Sequence, residues 1–505
     1  MSFRPLIAIC GTTGVGKSKL AIELALYLQN AASSQHGYHG ARIINADAMQ
    51  VYAGMDVITN KVPLNEQEGV EHLLMGFKKP GEQYVVGQWV NDAIRLIDET
   101  HQRNQLPIVV GGTSYWMQHL IFPNRLVQSP KTVEESSSTT STSAPPISEK
   151  LSNSLSLLSP PLLELFTNLP DDLPSASTDP DAAFTLHSLL SKLDPEVAQR
   201  WHWKDTRKVL RSLNIIKESG RLSSEIISEQ SNEVTMPRYK TLCFWLYANR
   251  DVLGPRLDER VDEMLERGLL AEVEDLNKIA TTPPGTKGQQ QQSSSSNDYT
   301  LGIYQSIGYR EFNEYLRNPS RSSKEYEDAV ESMKISTRQY AKRQISWIRN
   351  KLLPLIYASN NESKSKGGTN LVDAYLLDAT ELSNAWVTGV QQKGIDIMNA
   401  FLEQRDLPDP LSVSDTARIM LSVVEKPTDP TMVLNARRKI ICPLCTTNKD
   451  RPMMIEEGKE WSAHQKTRLH RRMLRRSERD SSPNSRGGQE CSQIQEPQLS
   501  DDPKS

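Results

Sequence analysis

Residues Gly11 to Ser18 read Gly-Thr-Thr-Gly-Val-Gly-Lys-Ser, a G-x-x-x-x-G-K-S loop that needs a strand before it and a helix after it. Both are written into the flanks. Leu6-Ile7-Ala8-Ile9-Cys10 is a short apolar run suited to a buried parallel strand, and Lys19 to Leu26 carries apolar residues at helical spacing. Gly11, Gly14 and Gly16 let the backbone wrap an anion, with Thr12, Thr13 and Val15 between them. The helix N-terminus adds N–H donors and a favourable dipole. Lys17 supplies a point charge, and Ser18 can reach a phosphate-bound magnesium ion. The loop therefore predicts a bound diphosphate or triphosphate and leaves open which molecule carries it.

Further along, Arg42-Ile43-Ile44-Asn45-Ala46-Asp47 and Leu106-Pro107-Ile108-Val109-Val110-Gly111-Gly112 read as strands ending in polar residues or glycine. Val86 to Arg103 reads as a helix between them, and Thr241 to Tyr247 as another buried strand. This alternation predicts an α/β fold built on a doubly wound parallel sheet, with function at the carboxyl ends of the strands. Leu186 to Ser219 and Pro255 to Leu276 read as helical and predict a helical lobe beside the sheet.

Composition narrows the setting. Only 37% of the 505 residues are hydrophobic, low for a fully packed chain, and low-complexity segments account for it: Ser136 to Ser143, Gln289 to Ser296, and the polar tail from about Asp480. The net charge is only -3, yet between His464 and Arg479 lie Lys466, Arg468, Arg471, Arg472, Arg475, Arg476 and Arg479 against a single acid, Glu478. The five cysteines (Cys10, Cys243, Cys442, Cys445 and Cys491) are too sparse for a disulfide framework and predict a reducing compartment. No apolar stretch approaches the roughly 18 to 20 residues of a membrane span. No membrane partner is expected, and the setting expected is cytoplasmic, with nucleus or mitochondrion as further compartments.

Three groups hang from the strand ends. Asp47, in Asp47-Ala48-Met49-Gln50-Val51-Tyr52, faces the ligand crevice from the second strand. An acid there can hold magnesium through water, act as a general base on a proton within hydrogen-bond reach, or simply end a strand at the surface. Thr113, after Gly111-Gly112, offers a hydroxyl to the same crevice. Gln305-Ser306-Ile307-Gly308-Tyr309-Arg310 mixes amide, aromatic and guanidinium groups.

Taken together, these segments resemble the tRNA dimethylallyltransferase (isopentenyltransferase) family. The resemblance is carried by Gly11 to Ser18, Asn45 to Asp56 with Thr59-Asn60-Lys61, Gly111-Gly112-Thr113, Gln305 to Arg310, and Thr337 to Trp347, in the family's order over about residues 5 to 350. It implies transfer of a dimethylallyl group from its diphosphate to the exocyclic N6 amine of the adenosine just 3′ of the anticodon. The phosphate loop, including Thr13 and Lys17, would then hold a leaving diphosphate with magnesium at Ser18. Asp47 would accept the amine proton. A diphosphate-binding arginine is implied in the helix after the late strand, with Arg256 preferred and Arg260 the alternative. Asp47, Ala48, Met49, Gln50, Thr113, Gln305, Gly308, Tyr309 and Arg310 would contact the extruded nucleotide and the anticodon stem-loop. The cationic helix with Arg338, Lys342, Arg343 and Arg349 suits phosphate contacts. A monomer is expected.

Cys442-x2-Cys445, eighteen residues, then His464-x5-His470 offers two thiolates and two imidazoles for a structural zinc ion. With Trp461 ahead of His464 and arginines behind His470, it resembles a matrin-type nucleic-acid-binding finger. On this reading the chain comprises a phosphate-loop NTPase-like catalytic core at 1–125, and a helical insertion with its Ser/Thr-rich segment at 126–200. The rest of the core with tRNA-binding helices follows at 201–355, interrupted by an insert at 281–298. Last come a linker with a small accessory region at 356–435, the finger and basic helix at 436–479, and a disordered tail at 480–505. Two other readings stay open. An adenylate isopentenyltransferase acting on free nucleotide would leave the finger without a task. A kinase or ATPase would want a carboxylate where the third strand ends in Gly111-Gly112-Thr113.

Overall fold

The computed structural model describes residues 4–30, 37–123, 147–170, 173–232, 236–281, 302–318, 320–422, 438–448 and 451–480. The segments Ser136 to Ser143 and Gln289 to Ser296, and nearly all of the tail, lie outside the described residues. The chain divides into two compact units, one formed by residues 1–148 and 215–432, the other by 149–214 and 433–505.

The first unit is an α/β layer structure. Six strands, β1 (Pro5–Gly11), β2 (Ala41–Asn45), β3 (His72–Leu73), β4 (Leu106–Val110), β5 (Lys240–Tyr247) and β6 (Val372–Asp378), form one sheet in the order β3-β2-β4-β1-β5-β6. Every pairing is parallel. β1 is buried along its whole length because the sheet is covered on both faces. Alternation then sends Leu6, Ala8 and Cys10 into one core and Ile7 and Ile9 into the other. The first core takes the apolar face of the helix Val86–Gln102, through Trp89, Val90, Ala93 and Ile97. The second takes Leu20, Leu24 and Leu28 of the helix Lys17–Asn30, together with Met398 and Phe401 of the helix Gln392–Leu402. Gly11 ends β1 where a side chain has no room: a Cβ there would lie 2.3 Å from the Leu246 carbonyl oxygen of β5.

The sheet differs from the sequence reading at its edges. The two-residue β3 is too short to leave a pattern. β6 lies in the stretch read as linker and accessory region, and it pairs with β5 over seven residues. The stretch Pro255 to Leu276, read as helical, falls within two helices, Arg250–Glu266 and Leu269–Thr281, separated at Gly268.

The second unit holds short helices, among them Pro180–Leu193 and Pro195–Ala198, and the hairpin of β7 (Lys439–Ile441) and β8 (Met454–Glu456). Leu186 to Ser219, read as helical, is shared among these two helices and the helix Thr206–Ser219. Asp194 ends the first segment and caps the next by accepting the Val197 N–H. The hairpin is tied to this helical part: the Lys439 N–H donates to the Gln199 carbonyl at 2.7 Å, and Trp203 Nε1 donates to the Pro452 carbonyl at 3.2 Å. Among the described residues no helix is long and apolar enough to cross a membrane.

Candidate active site

The carboxyl ends of β1, β2 and β4 open on a cavity of about 630 Å³. Thr13, Gly14, Gly16, Lys17 and Ser18 line it, whereas Gly11 closes β1 and the loop's Thr12 and Val15 are buried. Lys17 Nζ donates to the Thr12 carbonyl at 2.7 Å. Burial lowers its pKa to about 8; the Asp47 carboxylate pulls it upward and the Arg260 guanidinium pushes it down again.

Asp47 stands on the same cavity, held by its neighbours in the chain. Its Oδ1 accepts the Met49 N–H at 3.0 Å, and its own N–H donates to Asn45 Oδ1 at 3.1 Å. Asn45 is anchored in turn through Nδ2, which donates to the Leu74 carbonyl at 3.0 Å. Ala48, Met49 and Gln50 continue along the wall, and Thr113 Oγ1 accepts the Ala48 N–H at 3.1 Å. The Gln50 side chain donates to the carbonyls of Thr59 and Asn60, which also line the cavity. That stretch is fixed from behind by Glu272, whose carboxylate takes the N–H groups of Asp56, Val57 and Ile58 at 2.7 to 2.9 Å.

The preferred arginine of the sequence reading is not in the cavity. Arg256 is spent on backbone carbonyls, those of Gly14 (3.4 Å), Ala379 (3.2 Å) and Thr380 (2.6 Å). Arg260, one helical turn later, lines the cavity instead, where burial lowers its pKa and the charge of Asp47 opposes that shift.

The segment from Gln305 to Arg310 divides in the same way. Gln305, Ser306, Ile307 and Arg310 line the cavity. Gly308 begins the helix Tyr309–Arg317, donating its N–H to Glu311, and Tyr309 is buried with its hydroxyl 2.9 Å from Asn277 Oδ1. Arg343 also lines the cavity, whereas Arg338 is paired with Asp258 and Glu331 and lies outside its lining.

Two residues of the helix Ser323–Trp347 complete the site, and the sequence reading gave neither a role. Gln344 accepts the Thr13 N–H at 3.0 Å and donates to the Gly112 carbonyl at 2.9 Å, joining the phosphate loop to the end of β4. Tyr340 is bonded to the side chains of Thr113 and Gln344, and burial beside Asp47 raises its hydroxyl well above the ordinary range. The signal available was the amide and hydroxyl at i and i+4 on one helix face.

In the second unit Cys442, Cys445, His464 and His470 bring their ligand atoms within 4.8 Å of one another. His470 Nδ1 lies 3.4 Å from Cys442 Sγ, 3.6 Å from Cys445 Sγ and 3.1 Å from His464 Nε2. A zinc tetrahedron with ordinary bond lengths has sulfur–nitrogen edges of about 3.5 Å and nitrogen–nitrogen edges of about 3.3 Å. The cluster fits zinc, and the stacking of Trp461 on His464 holds one imidazole in place.

The sequence model of the IPP transferase family matches residues 50–351. A protein of Schizosaccharomyces pombe named tRNA dimethylallyltransferase is 36% identical over 479 residues, 94% of this chain and 95% of that one. The human protein of the same name is 30% identical, over 94% of this chain and 87% of its own length. A solved structure described as a eukaryotic dimethylallyltransferase acting on tRNA superposes with a TM-score of 0.67 at 31% identity, covering 95% of this chain and 98% of that one. The chain thus belongs to the IPP transferase family, among the tRNA dimethylallyltransferases.

Proposed function

We propose that the chain moves a dimethylallyl group from its diphosphate onto the exocyclic N6 amine of the adenosine immediately 3′ of the anticodon in tRNA. A carbon–nitrogen bond forms at the allylic carbon, the carbon–oxygen bond to diphosphate breaks, and the electron pair leaves with the diphosphate. The observation that carries the proposal is the sharing of one cavity by Lys17 and Arg260 with Asp47. Cations and loop N–H groups stabilise the charge growing on the leaving group. Asp47 holds the amine by a hydrogen bond and takes its proton as the new bond forms, which a delocalised adenine lone pair needs.

Ser18, at the end of the loop on the same cavity, would hold a magnesium ion through its hydroxyl, and such an ion would add positive charge at the leaving group. The adenosine has to leave its stack to enter the cavity. Ala48, Met49, Gln50, Thr113, Gln305 and Arg310 are then its neighbours, with Gly308 and Tyr309 acting from behind as scaffold.

The basic helix Arg468–Asp480, with exposed Arg471, Arg472, Arg475 and Arg476, supports binding of the anticodon stem-loop through phosphates. Replacing Cys442 by Ser removes one zinc ligand and with it the seat of that helix. Affinity for tRNA, measured by fluorescence anisotropy, is expected to fall about tenfold while dimethylallyl diphosphate binding is unchanged. Unchanged tRNA affinity would assign the finger to some other partner. A monomer working in a reducing compartment completes the proposal. Transfer of labelled dimethylallyl to unmodified tRNA, offered beside AMP and ATP, tests it.

A further inference from the structure

We propose that Trp386 is a positioning residue for the phosphate loop, an inference that rests on reading that loop as a diphosphate cradle. Trp386 ends the short helix Asn384–Trp386 after β6, beyond residue 351 where the family match stops. It is 1% exposed and stands directly behind the loop: a methyl group on Gly16 would lie 2.6 Å from its Cη2 and 2.7 Å from Cζ3. Gly16 has φ +83°, so the loop at this point has the freedom of glycine and needs a wall to hold its conformation.

The ring plane is fixed from two sides. Nε1 donates to both carboxylate oxygens of Glu23, at 3.0 and 2.9 Å, in the helix after the loop. Lys19 Nζ lies 4.7 Å from the ring centroid and 4.0 Å from Glu23, and Lys19 also lines the cavity. The carboxylate satisfies the buried indole N–H and, with Lys19 over the ring face, fixes the angle at which the ring stands against Gly16. Arg256 works in the same direction, tying the Gly14 carbonyl to those of Ala379 and Thr380 in the same segment after β6. β6 and the segment from Ala379 to Trp386 therefore brace the loop from the side away from the ligand. Loop N–H groups stabilise a leaving diphosphate only if they already converge before the charge arrives.

The test uses the full-length protein and its variants Trp386→Phe, Glu23→Leu and Glu23→Gln, titrated calorimetrically with pyrophosphate, dimethylallyl diphosphate and an unmodified tRNA transcript. Trp386→Phe and Glu23→Leu are expected to weaken pyrophosphate about tenfold with tRNA affinity unchanged, while Glu23→Gln, whose amide oxygen still accepts from the indole, stays within about twofold. Wild-type pyrophosphate affinity in Trp386→Phe would overturn the brace. So would an equal loss of pyrophosphate and tRNA, which would make Trp386 part of the general core. Failure of the wild-type protein to transfer the dimethylallyl group would instead remove the donor reading, and the pyrophosphate titration would still decide the brace.

Discussion

Asp47→Asn lowers turnover of dimethylallyl transfer by about 10²–10⁴, the range expected when a positioned general base is lost. The substitution is nearly isosteric. An amide oxygen can still accept the Met49 N–H, so the turn built by Asn45, Asp47 and Met49 survives. What disappears is the ability to take a proton from the adenine amine. Asp47 contributes no contact to a leaving diphosphate, so donor affinity is expected to stay within about twofold when measured well below the Lys17 pKa of about 8, where Lys17 stays charged without the pull of Asp47. Single-turnover kinetics beside a donor titration separates the two. Near-normal turnover in Asp47→Asn would end its role as base and leave it a structural acid at the end of β2.

Lys17→Met removes the loop's point charge while keeping the length of the side chain, and donor affinity and turnover together are expected to fall by about 10²–10³. The same lysine sets a pH dependence. Its charged form exists below its pKa, which burial lowers to about 8 in the free protein. Donor affinity is therefore complete below that value and is lost as pH rises through it. The dissociation constant should rise about tenfold on going to about pH 9. In Lys17→Met that break should vanish, leaving a weak and flat profile. A wild-type profile that is flat between about pH 7 and 9 would show that Lys17 is not titrating against the donor.

Much of the sheet was legible because each long strand is either continuously apolar or ends in the polar and glycine residues that a ligand crevice needs. β6 escaped for a physical reason. Its second residue is Asp373, which breaks the apolar run, and the buried charge is met by Lys240 of β5 at 2.7 Å and by Asn370 Nδ2 at 3.1 Å. A neighbour 133 residues away cannot be read from local pattern.

The arginines show the same limit. Arg256 and Arg260 are i and i+4 on one helix, so periodicity places both on one face. The carbonyls of Gly14, Ala379 and Thr380 engage the first, while the second lines the cavity. Likewise Gly308 and Tyr309 share a segment with Gln305 and Arg310, but the helix begins between them and turns the tyrosine into the core. The metal cluster was readable from spacing, since its ligand types and intervals alone define the site. Gln344 was not. Its two bonds join loops 331 and 232 residues away.

The central claim is that the phosphate loop binds a leaving group whose prenyl carbon goes to tRNA. Incubating the purified full-length protein with magnesium, dimethylallyl diphosphate labelled in its prenyl group, unmodified tRNA, AMP and ATP tests this most directly. After nuclease digestion and chromatography of the products, label is expected in an N6-modified adenosine recovered from tRNA, with AMP and ATP unlabelled and ATP intact. Label in AMP but not in tRNA, or ATP hydrolysis with no prenyl transfer, would contradict it.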